Sequence, residues 1–145
     1  MTTVAELLDH GLSDWSHVLA HRADEAVIDA VRARFMGAGV PVELVADTLR
    51  DGGAALHQAV ASERSDWATP FGGLLAVALL TAEVAAYCSH LVARASAVRS
   101  VAVDSLLEDF SAVAVASELG VSRQKVYEIG RGGAKLRDAL RQANR

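Results

Sequence analysis

Residues 111–129 read Ser111-Ala-Val-Ala-Val-Ala-Ser-Glu-Leu-Gly120-Val-Ser-Arg-Gln-Lys-Val-Tyr-Glu-Ile129. The spacing predicts two helices separated by the turn Gly120-Val121-Ser122. Ser122 suits the N-cap of the second helix, because its hydroxyl can accept a hydrogen bond from a backbone N–H that the first turn leaves free. Val126 and Ile129 lie three residues apart, hence on one face of that helix. With those two inward, the opposite face presents Arg123, Gln124, Tyr127 and Glu128, and Lys125 and Arg131 stand at its flanks.

Over roughly residues 98–131 the chain resembles the helix-turn-helix of bacterial transcription regulators. In that resemblance Ala116 is the small residue that lets two helices cross closely, and Gly120 holds the turn position where positive φ is required. Val121 would fill the space below the turn, and Val113, Ala116 and Leu119 would receive Val126 and Ile129. Residues 98–110, with Val98, Val101, Val103, Leu106, Leu107 and Phe110, would be the supporting first helix. The resemblance implies DNA contacts from Ser122, Arg123, Gln124, Lys125, Tyr127, Glu128 and Arg131, with a recognition helix over 122–131 in the major groove. The chemistry suits that role. Arg pairs with guanine O6 and N7, Gln with adenine N6 and N7, and hydroxyls and Lys commonly take phosphates. The helix N-terminus adds partial positive charge. A final basic helix is expected after Gly132-Gly133, carrying Lys135, Arg137, Arg141 and Arg145.

Upstream, apolar residues keep helical spacing. Residues 3–21 carry Val4, Leu7, Leu8, Leu12, Trp15, Val18 and Leu19 at three- and four-residue steps, which fits one or two amphipathic helices. A second helix is expected over 23–36, burying Ala26, Val27, Ala30, Val31 and Phe35 and stopping at Gly37-Ala38-Gly39. Pro41 suits the first turn of a short helix over 41–50, and another should follow from Ala54 to Glu63. The longest element should run from Leu74 to Val98, where Val77, Leu80, Val84, Tyr87, Leu91 and Val98 recur near heptad spacing. It reads either as a central core helix or as the seam of a dimer. Residues 41–60 echo the downstream pattern, Val45, Ala46 and Leu49 standing for Val115, Ala116 and Leu119, but the turn differs and no basic residue follows it. They form either a degenerate second helix-turn-helix or ordinary Ala-rich helices.

The length of 145 residues suits one domain or two small ones, and a composition 52% hydrophobic and 22% charged supplies a core and excludes global disorder. Aromatics at 5% and two prolines in an Ala-, Val- and Leu-rich chain favour packed helices over twisted sheets. The expected fold is therefore all-α: a multi-helix region over 1–97 for dimerisation or sensing, then a three-helix helix-turn-helix unit over 98–145. A single Cys88 points to a reducing cytoplasm, and the N-terminal residues lack the basic start and apolar run of an export signal. The uncharged run Ala68 to Ala82 is interrupted by Pro70, Gly72 and Gly73 and falls short of the about 20 apolar residues of a membrane span. Cys88 should be buried and His90 exposed. His17 and His21, four apart with Asp14 and Asp24 near, read as a solvated face, since a metal site needs three or four ligands. Trp67, Phe71 and Tyr87 read as core rather than the lining of an effector pocket. No glycine-rich phosphate loop, Gly-x-Ser-x-Gly elbow or paired-carboxylate setting is present, so neither enzyme nor cofactor is expected.

The formal net charge of −4 argues at first against nucleic acid, but it divides unevenly. Residues 1–93 hold 5 Lys+Arg and 12 Asp+Glu, a balance of −7, whereas residues 94–145 hold 9 and 6, a balance of +3. Within the latter, residues 121–145 hold 7 and 2, or +5. Nucleic-acid contact should therefore be confined to the last third. The expectation is a cytoplasmic, nucleoid-located transcription regulator that binds double-stranded DNA as a homodimer, because one recognition helix reads only about 4 to 5 base pairs. The other reading is a protein-interaction adaptor, or an architectural nucleoid protein without strong sequence preference.

Overall fold

The structure, a computed structural model, describes residues 14–144. The fold is all-α, with no strand among the described residues. Chain contacts divide it into two compact units, Met1–His90 and Leu91–Arg145. Val4, Leu7, Leu8 and Leu12 of the expected first helix lie outside the described residues.

In the first unit, residues 14–18 are helical and a 3-10 turn follows at Ala20–Arg22. Helix α1 spans Glu25–Gly37 and starts at Asp24, whose carboxylate accepts the Ala26 N–H at 2.8 Å. Its inward residues are Val31 and Phe35, one turn apart, whereas Val27 is 38% exposed. Helix α2, Val42–Arg50, starts one residue after Pro41, which takes the extended N-cap conformation instead of joining the first turn. Helix α3, Ala54–Ala61, is capped by Asp51, whose carboxylate accepts the N–H groups of Gly53, Ala54 and Ala55 at 2.8 to 3.2 Å. A 3-10 turn at Thr69–Phe71 leads into helix α4, Leu74–Asp109.

The core of this unit gathers Trp15, Leu19, Phe35, Val45, Leu56 and Leu80, with the Trp15 and Phe35 rings stacked at 5.8 Å. Val77 and Leu80 of the heptad series are buried there, and Val84 and Tyr87 pack at its edge, so these residues act as core. Trp67 and Phe71 pack against the same cluster.

Helix α4 corrects the division into separate helices over 74–98 and 98–110. It runs unbroken for 36 residues, because no glycine or proline occurs between Leu74 and Asp109 to end it. Its best 18-residue window has a mean hydropathy of 1.7 and is 22% buried, so by length and composition alone it could cross a membrane. The break comes at Ser111, whose extended backbone and hydroxyl, accepting the Ala114 N–H at 3.2 Å, start helix α5, Ala112–Leu119.

The second unit combines the later part of α4 with α5 and helix α6, Arg123–Ala143. Its core is Val103, Ala112, Val115, Ala116, Val126 and Ile129, with Leu107 partly buried beside them. Val126 and Ile129 therefore meet Ala112, Val115 and Ala116. Val113 and Leu119, expected as partners, are 62% and 44% exposed, because the helical phase that buries Ala112 and Val115 turns them outward. Val121 is exposed as well, and of the supporting series Val98, Leu106 and Phe110 are exposed while Val103 is buried.

Helix α6 also departs from expectation, since it does not stop at Gly132-Gly133 but continues through both. The reason is tertiary: Gly133 lies against the Ser100 backbone, where no side chain fits. Arg137, one turn further on, bonds Asp104 and reaches Glu108 at 3.3 Å, fixing the later half of α6 to α4 within this unit. Partial desolvation pulls the Arg137 guanidinium down, but its bonds to Glu108 and Asp104 and their charges outweigh this and hold it above the usual arginine value.

Candidate nucleic-acid interface

The turn between α5 and α6 is built by three residues. Gly120 closes α5 at φ 67°, the left-handed conformation in which a side chain is strained. Its N–H and that of Val121 both return to the Ala116 carbonyl. Ser122 then adopts an extended backbone, and its hydroxyl accepts the Lys125 N–H at 3.1 Å. Ser122→Ala is expected to cost about 1 kcal/mol of stability, read from urea unfolding followed by circular dichroism. No loss would show that the first turn of α6 is held by packing alone.

With Val126 fully buried and Ile129 at 7% exposure, the other side of α6 is uncovered. Ser122, Arg123, Gln124, Tyr127 and Arg131 line one open concavity there. Gln124 and Arg131 are seven residues apart, close to two full turns, so Arg131 stands over Gln124 in the middle of this face and not at its flank. Its Nε donates to the Tyr127 carbonyl at 3.4 Å. Lys125 lies at the far edge, 3.9 Å from Glu128, and both are half-exposed. An exposed ion pair of this kind is worth little and leaves the lysine available to an anion. The guanidiniums of Arg123 and Arg131, an amide and a phenol hydroxyl thus share one face of the first turns of a helix, with Arg123 at its positive end.

The structure brings together a second polar group that sequence reasoning placed otherwise. In the first unit, Glu83 of α4 is 2% exposed. Its carboxylate accepts bonds from Arg22 Nε and a terminal guanidinium nitrogen, both at 2.9 Å, and from His21 Nε2 at 2.6 Å. Desolvation pushes the Glu83 carboxyl up, but the bonds from Arg22 and His21 and their charges outweigh it and hold it below the ordinary carboxylate value. His21 is therefore buried against Glu83 and Tyr87 instead of lying on a solvated face with His17. The local spacing of two histidines carried no information about a partner 62 positions away. A usable signal was Glu83 itself, the sole charged residue between Trp67 and Ala93. Cys88 and His90 reverse their expected places, Cys88 being exposed and His90 partly buried beside His21. No cluster of three metal-ligating side chains occurs among the described residues.

No protein-family model, curated protein or solved structure matches this chain.

Proposed function

We propose that the chain is a sequence-specific DNA-binding transcription regulator of the helix-turn-helix kind, acting as a dimer from the cytoplasm. The observation that carries this reading is the uncovered face of α6, where Arg123, Gln124, Tyr127 and Arg131 converge just after a capped and glycine-closed turn. The first two turns of α6 would enter the major groove. Arg123 and Arg131 have the fork that matches guanine O6 and N7, Gln124 matches adenine N6 and N7, and Ser122, Lys125 and Tyr127 would hold phosphates. Glu128 would accept from cytosine N4 or keep Lys125 in place. The rest of α6 would add the basic side chains Lys135 and Arg141, while Arg137 is engaged within the unit.

Gel retardation at fixed salt tests this directly, after selection of bound duplexes from a random pool. Arg123→Ala and Gln124→Ala should each cost on the order of 1 to 3 kcal/mol of specific binding with the fold intact. Unchanged affinity in both variants would remove the assigned face. The selected sites should be two-fold symmetric, with half-sites about one helical turn apart.

A second reading draws on another feature of the same unit. Leu106, Phe110, Ala114, Val115 and Leu119 line an almost wholly apolar concavity beside Glu118, and Phe110 is 57% exposed. Such a patch suits an adaptor that docks a protein partner. An adaptor would retard no duplex, and an architectural protein would retard every duplex with steep salt dependence and no site preference.

A further inference from the structure

A helix that ended at Gly132-Gly133 would leave Arg131 on its fraying last turn. Because α6 continues for 21 residues, Arg131 stands instead near the middle of a rod about 31 Å long. The backbone that carries it is held on both sides, Gly130 lying against Leu107 and Val103, and Gly133 against the Ser100 backbone. With Val126 and Ile129 inward, Arg131 is turned to the exposed side, two turns past Gln124. Its Nε donates to the Tyr127 carbonyl at 3.4 Å, which draws the side chain toward the start of the helix and directs its terminal nitrogens to the concavity shared with Arg123. Eight residues, or about 12 Å along the axis, separate the two arginines.

We propose that this pair makes the half-site of the duplex two guanines set two to three base steps apart, Arg123 reading one and Arg131 the other. The inference rests on the DNA-binding reading of α6 and names the duplexes that such a face would select. Spacing is the first support, since about 12 Å spans two to three steps of a groove that rises about 3.4 Å per step while it winds. Position is the second. Arg131 projects from the side of α6 opposite its buried residues, hence toward the groove floor, where its planar fork matches guanine O6 and N7. The third is where the basic line stops. Lys135 is exposed one turn beyond Arg131 and about 18 Å from Arg123, past the about 4 to 5 base pairs that a straight helix follows before the groove winds away. It therefore meets a phosphate at the groove wall. Asp138, exposed two turns past Arg131, puts a like charge against the backbone beyond that point and ends the contact.

The test is selection of bound duplexes from a random pool by the full chain and by Arg123→Ala and Arg131→Ala, both exposed positions whose variants should keep the parent helicity. The parent should enrich two guanines two to three steps apart in each half-site, and each variant should lose one of them while keeping the other. On the selected duplex, 7-deazaguanine at the position that Arg131→Ala no longer reads removes the N7 acceptor. It should weaken the parent about 5- to 150-fold and leave Arg131→Ala unchanged. Lys135→Ala should weaken every duplex alike and lower the slope of log affinity against log salt by about 0.9. No enrichment by the parent would overturn the DNA-binding reading together with this inference. Enrichment by the parent with both variants losing the same position, with Arg131→Ala weakening all duplexes equally, or with no response to 7-deazaguanine would overturn the inference alone.

Discussion

Gly133→Ala is expected to destabilise the second unit by about 3 kcal/mol, a large fraction of the roughly 5–15 kcal/mol of an ordinary domain, read as a lower urea midpoint. A Cβ built at Gly133 falls inside the Ser100 carbonyl and close to the Val101 nitrogen, and these are backbone atoms of α4 that cannot rotate away. The helices must part, which uncovers Val103, Val126 and Ile129. The neighbouring glycine supplies the control. A Cβ at Gly132 meets only the Ser100 side chain, Oγ at 3.6 Å and Cβ at 3.9 Å, both ordinary contacts. Gly132→Ala should therefore be neutral or stabilising by up to about 1 kcal/mol, since alanine restricts the unfolded chain and favours the helix. Urea unfolding of the pair separates helix propensity from close approach. Equal effects in the two variants would show that α4 and α6 do not cross at Gly133.

Glu83→Gln should remove about 3 kcal/mol from the first unit, with the loss carried by the charge it strands. Arg22 would keep its guanidinium next to a neutral amide at a site where Glu83 is 2% exposed. Arg22 retains 28% side-chain exposure, so water softens the penalty and the lower end of the range for breaking a buried pair applies. The parent chain should also weaken in acid. The Glu83 carboxyl is lowered in the folded state, so its contribution is complete above the ordinary glutamate value of about 4.3 and disappears as pH falls through the lower folded value. Glu83→Gln should lack that part of the pH dependence. Thermal melts of both proteins between pH 7 and pH 3 would show the curves converging in acid, and parallel curves would mean that Glu83 is not paired.

Several features were legible from neighbouring residues alone. The all-α class followed from composition and 3.6-residue spacing, and the turn at Gly120–Ser122 followed from one glycine and one capping serine. Those signals are local, because a cap or a left-handed turn is decided within about four residues of chain. The inward placement of Val126 and Ile129 was equally local, being a matter of helical phase. Phase between helices was not. Val115, and not Val113, meets Val126, because which side of α5 is covered depends on α4 and α6 together.

The same division holds for the larger errors. Local propensity reads Gly132-Gly133 as a helix end, but Ser100, more than thirty residues earlier, requires that close approach and makes glycine the residue that lets α6 continue. Local spacing likewise reads His17 and His21 as a solvated face. Packing of the Ala20–Arg22 turn on α4 buries the side chains of Glu83 and His21 together, and the hydrogen bonds from His21 and from the guanidinium of Arg22 offset the desolvation of the carboxylate. The sequence by itself determined that the chain is helical, where the turn at Gly120–Ser122 falls and where the basic side chains lie along the chain. Only the tertiary structure decided which helix faces are covered and which polar groups meet, because those outcomes belong to contacts between residues tens of positions apart.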